Sequence, residues 1–333
     1  MASDSAGPRL RRATLAGIGG YLPEHAVSNE ALSRRVETSD QWITERTGIR
    51  QRHFASSRET AAFMGTEAAR EALEAANMSA DDVDAIILAT STPDQAFPAT
   101  AMHVQAALGA RRAFGFDISA ACSGFIYGLS VADAMIRAGQ PNAINTVLVI
   151  GAEVFSRILN FQDRGTCVLF GDGAGAVVLR AAEVAPQGPG ILSTHLHGDG
   201  TLADILYVDG AVGQPEKPGH LVMNGREVFR HAVNLLSSAV SEALEANGLA
   251  PTDIDWLVPH QANRRIIDGV GKKLGLAPER VVITVDRHAN TSAASIPLAL
   301  RQAIQDGRIR PGHLVLLEAL GGGLTWGSAL LRI

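Results

Sequence analysis

The sequence predicts an α/β protein of two similar halves, each with a sheet sandwiched between helices. Three observations carry that prediction. Near-continuous apolar runs such as AIILAT, TVLVIGA, WLVPH and LVLLEA have the length of strands and no polar face, which suits a sheet covered by helices on both sides. An internal repeat aligns EALEAANMSADDVDAII from Glu71 with EALEANGLAPTDIDWLV from Glu242 without a gap, at an offset of 242 − 71 = 171 residues. A chain of 333 residues, 46% hydrophobic and 19% charged, is long enough to bury the large core of a duplicated unit.

From the N-terminus, MASDSAGPRLRRATLAGIGG carries an Arg cluster but no uninterrupted apolar segment ahead of a small-residue cleavage site. Nowhere does an apolar run reach the roughly 18 residues of a membrane span, so a soluble cytoplasmic protein without a membrane partner is expected. Each copy of the repeat reads as helix, turn, acidic D-x-D and buried strand. FGFDISAACSGFIYGLSVADAMIRAG then reads as a strand, a small-residue loop and a helix whose apolar positions are Phe125, Leu129, Ala132 and Ile136. VVITVDRHANTSAASIPLALRQAI reads the same way in the second half. GAVVLR from Gly175 and GSALLR from Gly327 each follow a Gly-rich turn and close a half. The halves are placed at 1–185 and 186–333, with AAEVAPQGPG at 181–190 as the connector. Gly198 to Gly219 lacks periodicity and reads as a surface excursion.

The formal net charge of −5 argues against nucleic-acid binding, and no such motif is present. Two cysteines are too few for a disulfide framework. Cys167, inside the apolar run TCVLF, reads as core packing on a buried strand. Cys122 differs. It lies after the strand-like FGFDI, among small residues, where a helix begins; the positive end of the dipole and unpaired backbone N–H groups there are expected to favour thiolate, the form that attacks thioesters. The plainer reading, a small buried hydrophobe, is equally compatible with this context alone.

His260 closes WLVPH, at the carboxyl end of a sheet strand where α/β proteins gather ligands. Of the ten histidines, His25, His195, His197, His220 and His313 lie in turn-like or polar surroundings that call for no special role. Asn290, in HANTSAAS, heads the helix that mirrors the one opened by Cys122; standing alone it would be a helix cap. A Cys, a His and an Asn at strand or helix ends of two related halves can converge on one cleft. FGDGAGAVV invites a dinucleotide reading, but its glycines lead into a strand where that fingerprint requires a helix. EALGGGLTWG also turns between strands and can supply a backbone donor to an oxyanion.

With these residues assembled, the chain closely resembles the β-ketoacyl-acyl-carrier-protein synthase III family, thiolase-superfamily enzymes that start bacterial fatty-acid synthesis. The resemblance rests on TSDQWITERTGIRQRH at 38–53, AACSGF around Cys122, GTCVLFGDGAGAVVL at 165–179, VPHQAN at 258–263, HANTSAAS at 288–295 and GGGLTWGSALLR near the C-terminus. It implies a thiolase-like fold in α-β-α-β-α layers, a homodimer, and ping-pong acyl transfer. A short acyl-CoA, acetyl-CoA foremost, acylates the cysteine. Malonyl-carrier protein then enters, loses CO2 and leaves as a 3-oxoacyl-carrier protein. Coenzyme A enters only as a thioester substrate, with neither metal nor cofactor.

By that resemblance Cys122 is the nucleophile, His260 and Asn290 bind the malonyl thioester carbonyl, and the backbone N–H groups of Cys122 and Gly322 hold the oxyanion. Thr38, Trp42, Arg46, Arg164 and Asn263 match residues lining the CoA site, while Phe97 and Leu320 match positions that shape the acyl pocket, Phe97 from across the dimer interface. Carrier proteins are acidic, so Arg230, Arg264, Arg265, Lys272 and Lys273 are expected to form the docking face. Ala289 stands where some relatives have Gly, and Leu320 where some have Phe. A related enzyme using another acyl primer or acceptor in secondary metabolism shares these motifs. A Cys-His-Asn hydrolase of papain type is disfavoured by the repeat and by the missing protease signature, and a non-catalytic partner subunit by the complete triad.

Overall fold

Polar side chains open the helices where the apolar runs break: Ser39, Thr60 and Asn224 each accept a backbone N–H from the first turn that follows them. The computed structural model describes residues 9–139, 143–210, 214 and 216–333. Positions 211–213 and 215 of the expected surface excursion, and residues 1–8, lie outside the described residues.

The chain begins with β1 (Leu10–Tyr21), followed by the short ribbon of β2 (Ala26–Ser28) and β3 (Gln51–His53) around α1 (Asn29–Ser33) and α2 (Asp40–Thr47). Then come α3 (Ala61–Ala75), β4 (Ala85–Ala89), α4 (Thr100–Leu108), β5 (Phe114–Ile118), α5 (Gly124–Ala138), β6 (Thr146–Glu153), α6 (Arg164–Cys167) and β7 (Gly173–Val184). The remainder is β8 (Gly190–Gly198), β9 (Leu206–Val208), β10 (Leu221–Met223), α7 (Gly225–Ala246), β11 (Trp256–Pro259), α8 (Arg264–Lys273), α9 (Val285–His288), α10 (Ser295–Gln305), β12 (Leu314–Gly321) and β13 (Thr325–Arg332).

Two sheets share one topology. The first runs β1-β7-β6-β4-β5 and the second β8-β13-β12-β11. In both, the first two pairings are antiparallel and the next is parallel. A fifth strand pairs in parallel in the first sheet, whereas the second has only the bridge Leu257–Val281 at that place. VVITV, expected to be a strand, is therefore reduced to a bridge that runs into the one-turn helix α9.

The apolar runs behave as covered strands: every residue of β4, β6 and β12 is buried. Phe125, Leu129, Ala132 and Ile136 of α5 are buried with Val147 and Val149 of β6, and with Val315 and Leu317 of β12, in a single apolar cluster between the sheets. That shared layer brings the strand ends of the two sheets together.

Two further expectations need correcting. TCVLF is not a strand; Asp163 caps the Gly165 N–H and turns the chain into α6, although Cys167 is fully buried as read. The excursion from Gly198 to Gly219 carries a 3-10 turn (Gly200–Ile205) and β9, which pairs with β10 just beyond its end. His195 and His197 lie on β8 in polar surroundings, as read, both within reach of Glu242 on α7.

Candidate active site

Cys122 sits in a 3-10 turn between β5 and α5 that begins at Ala121, where φ is 46°. A non-glycine residue in this left-handed region is strained, and such strain collects at functional turns. Among the described residues four non-glycine residues have positive φ, and three of them, Ala121, Ala289 and Ser292, flank this site. Gly321, at the end of β12, presses on the same turn. A Cβ there would lie 2.8 Å from the Cys122 nitrogen and 2.7 Å from the Ala120 oxygen, so the approach requires glycine.

His260 follows β11, and its backbone N–H donates to the Glu318 carbonyl at 2.8 Å. Its Nδ1 lies 2.6 Å from the Ser295 hydroxyl at the head of α10. That hydroxyl accepts the Gln261 N–H at 3.3 Å and has no other acceptor among the described residues, so its proton goes to Nδ1 and the ring proton is assigned to Nε2. Burial pushes the imidazole pKa down to about 3, which keeps the ring neutral. Asn290 is oriented just as firmly: its Oδ1 accepts the Ser292 N–H at 2.8 Å, leaving Nδ2 as the donor available to a ligand.

Cys122, His260 and Asn290 line one cavity of about 770 Å³, together with Gly322, Leu320, Phe155, Phe170, Leu206 and Met223. The site is thus a largely apolar cavity lined by a thiol and by two side chains that each keep an N–H donor free of those contacts. Burial pushes the Cys122 thiol up, to about 12, although the Ser292 hydroxyl pulls it down, so burial opposes the thiolate expected from the helix end.

The other expected site residues divide by position. Arg46, Asn263 and Arg265 line the same cavity. Trp42, Thr38 and Arg164 lie outside it, but the Arg46 and Arg164 guanidiniums stand 4.5 Å and 5.1 Å from the half-buried Trp42 ring. Asn263 also caps α8, its Oδ1 accepting the Ile266 N–H at 3.1 Å, so both the capping and lining readings hold. Arg264, Arg265, Lys272 and Lys273 lie exposed on α8 while Ile266, Ile267 and Val270 face inward. Arg264 pairs with Asp268 at 2.7 Å, and Arg230 on α7 pairs with Glu227 at 2.6 Å. Phe97 does not reach the cavity; it is 84% exposed.

Comparison with known proteins decides what kind of site this is. Residues 116–200 and 244–333 match the family models described as 3-oxoacyl-[acyl-carrier-protein (ACP)] synthase III and its C-terminal part. The β-ketoacyl-[acyl-carrier-protein] synthase III of Acidiphilium cryptum is 69% identical over 97% of this chain and 100% of its own. The crystal structure of 3-oxoacyl-[acyl-carrier-protein] synthase III from Aquifex aeolicus superposes with a TM-score of 0.91 at 46% identity, covering 96% of this chain and 100% of that one. The chain belongs to the β-ketoacyl-acyl-carrier-protein synthase III family.

Synthase III relatives extend beyond one pathway: the priming β-ketosynthase of the R1128 polyketide pathway matches with a TM-score of 0.90 at 37% identity, over 98% of each chain. Members of this family are acyltransferases of the condensing type with a thiolase-like fold, the class expected from the motifs. Among the described residues no helix is long and apolar enough to cross a membrane, and no group of three His, Cys, Asp or Glu could hold a metal ion.

Sequence reasoning missed the side chains that orient this synthase III site. Ser292 and Ser295 both lay inside HANTSAAS, unsingled. Gln261, in VPHQAN, is fully buried and locks the loops together, its Oε1 accepting from Thr284 and Val285 at 2.8 Å and 3.0 Å. Glu153 carried a signal of its own: a carboxylate ending an otherwise apolar strand, TVLVIGAE, has to find donors inside the protein.

Proposed function

We propose that the chain is a β-ketoacyl-acyl-carrier-protein synthase III that condenses a short acyl-CoA, acetyl-CoA foremost, with malonyl-carrier protein to give 3-oxoacyl-carrier protein, CoA and CO2. The observation that carries this reading is the convergence of Cys122 with two neutral, pre-oriented donors, His260 Nε2–H and Asn290 Nδ2–H, on one cavity. Acyl transfer to the Cys122 sulfur comes first, with the tetrahedral oxyanion held by the backbone N–H groups of Cys122 and Gly322. Loss of CO2 from the malonyl group then places negative charge on its thioester oxygen. Donors fixed in advance in a dry site stabilise that enolate more than they stabilise the ground state. A neutral imidazole can donate here without first losing a proton.

CoA would enter over Trp42, Arg46 and Arg164, with Thr38 nearby and Asn263 along the channel. The carrier protein would dock on Arg230, Arg264, Arg265, Lys272 and Lys273, whose charge suits an acidic partner despite the net charge of −5. A cytoplasmic homodimer with the division into 1–185 and 186–333 completes the proposal. Its support is β5, an edge strand whose first residue, Phe114, is exposed, and Asp117, which accepts from the Thr100 and Ala101 N–H groups and so ties the Phe97 loop to that edge. From there Phe97 would bound the acyl pocket of the partner.

Leu320 in the cavity wall and the polyketide relative favour a second reading, in which the same chemistry serves another primer or acceptor. A panel of acyl-CoAs of rising length and branching, assayed with malonyl-carrier protein, separates them. Fastest turnover with acetyl-CoA supports the first reading, and no 3-oxoacyl product from any primer rejects it.

A further inference from the structure

Directly behind the nucleophile lies a carboxyl group that the scheme above does not use. Glu153, the last residue of β6, is 0% exposed and is bound by four neutral donors. These are the Thr92 hydroxyl at 2.6 Å, the Ser91 N–H at 3.1 Å, the Ser292 hydroxyl at 3.1 Å and the Thr90 hydroxyl at 3.4 Å. The Ser292 hydroxyl is also hydrogen-bonded with the Cys122 side chain and so stands between the sulfur and the carboxylate. Backbone geometry holds it there. Ser292 takes a φ of 49°, and Gly151, two residues before Glu153, leaves room for the Ala293 carbonyl, which a Cβ would meet at 2.2 Å.

Building on the proposed function, we infer that Glu153 takes the Cys122 proton through the Ser292 hydroxyl during acylation and returns a proton by the same path after condensation. In the first half-reaction the Cys122 S–H bond breaks as the sulfur bonds to the acyl carbon. The thiol proton passes to Ser292 Oγ, the Ser292 proton passes to Glu153 Oε1, and CoA leaves as a thiolate that takes a proton from water. In the second, the malonyl carboxylate leaves as CO2, the new carbon–carbon bond forms and Cys122 departs as a thiolate. It recovers a proton from Glu153 by the reverse path. One proton is consumed overall, on CoA.

The electrostatics fit a proton acceptor. Burial raises the Glu153 carboxyl to about 7 although its hydrogen bonds oppose the rise, so it exchanges a proton near neutrality. Its negative charge also adds to the burial that holds the Cys122 proton on, and that opposition vanishes once Glu153 has accepted the proton.

The test follows single-turnover acylation by acetyl-CoA, by rapid quench and intact mass, from about pH 6 to about pH 8.5, a range that brackets the carboxyl's value of about 7. Glu153 accepts the proton only when it starts ionised, so the native rate should rise as pH passes through about 7 and level off above it. Glu153→Gln and Ser292→Ala should acylate more slowly, on the order of 100-fold, and lose that rise. A native rate that stays flat through this range overturns the inference even if a variant fails to fold, as does a folded Glu153→Gln that acylates at the native rate. An absent native acyl adduct defeats the proposed function itself, while an adduct formed without that pH dependence defeats only the proton transfer to Glu153.

Discussion

The Ser295 hydroxyl donates to Nδ1 of His260 at 2.6 Å, and this one contact decides which imidazole nitrogen carries the proton that faces the cavity. Ser295→Ala leaves Nδ1 without its buried partner and lets the ring turn or change tautomer. Condensation should slow on the order of 10- to 100-fold. Acylation, which uses Cys122 and backbone donors, should keep its rate. Rapid-quench measurement of the acyl-enzyme beside steady-state turnover separates the two steps.

Asn290 gives a sharper version of the same contrast. Asn290→Asp keeps an oxygen for the Ser292 N–H but replaces the Nδ2 donor with a lone pair and a charge facing the nascent enolate. Malonyl decarboxylation should fall by about 3–4 kcal/mol of barrier, roughly 100- to 1000-fold. Release of labelled CO2 from malonyl-carrier protein measures this directly, and the acetyl adduct should still form.

Glu318 governs stability against pH. Burial raises its carboxyl to about 8 from an ordinary 4.5, and its Oε2 has no hydrogen-bond partner, both consistent with a neutral acid in the folded state. A carboxyl raised on folding stabilises fully below its unfolded pKa of 4.5, and that contribution is lost as pH rises through about 8. Glu318→Gln should therefore melt like the native protein near pH 4 and above it, in temperature, by a widening margin toward pH 8. Melting temperatures across that range check the sign.

Trp42 and Lys272 should separate the two substrates. Trp42→Ala removes the ring held near Arg46 and Arg164 and should raise KM for acetyl-CoA about tenfold, leaving KM for malonyl-carrier protein unchanged. Lys272→Glu on the exposed face of α8 should do the reverse, with an effect that shrinks as salt increases. Initial-rate kinetics with each substrate varied in turn gives both answers.

The duplication was legible because it is written in spacing. The offset of 171 residues found between Glu71 and Glu242 recurs in the coordinates: the turns opening at Ala121 and Ser292 differ by 292 − 121 = 171, and the helices opening at Gly124 and Ser295 by 295 − 124 = 171. Apolar strands and Cys122, His260 and Asn290 were legible for a related reason, since each ends or begins an element with a marked composition. TCVLF misled because composition alone cannot tell a buried turn from a buried strand, and Asp163 as a cap decided the matter. The setting of the Cys122 thiol was only half legible, because a helix end is visible in sequence whereas the burial that raises the thiol involves segments remote in the chain, such as Gly321 pressed against the Cys122 turn. Ser295 and Glu153 act through contacts across 35 and 139 residues, which no local pattern announces.

Intact-mass analysis of the native protein and of Cys122→Ala, first with acetyl-CoA and then with malonyl-carrier protein added, tests the account at its centre. One acetyl adduct on the native protein, discharged by the carrier substrate and absent from the variant, is the predicted result. A native mass that acetyl-CoA leaves unchanged, or an adduct that survives in Cys122→Ala, would contradict it.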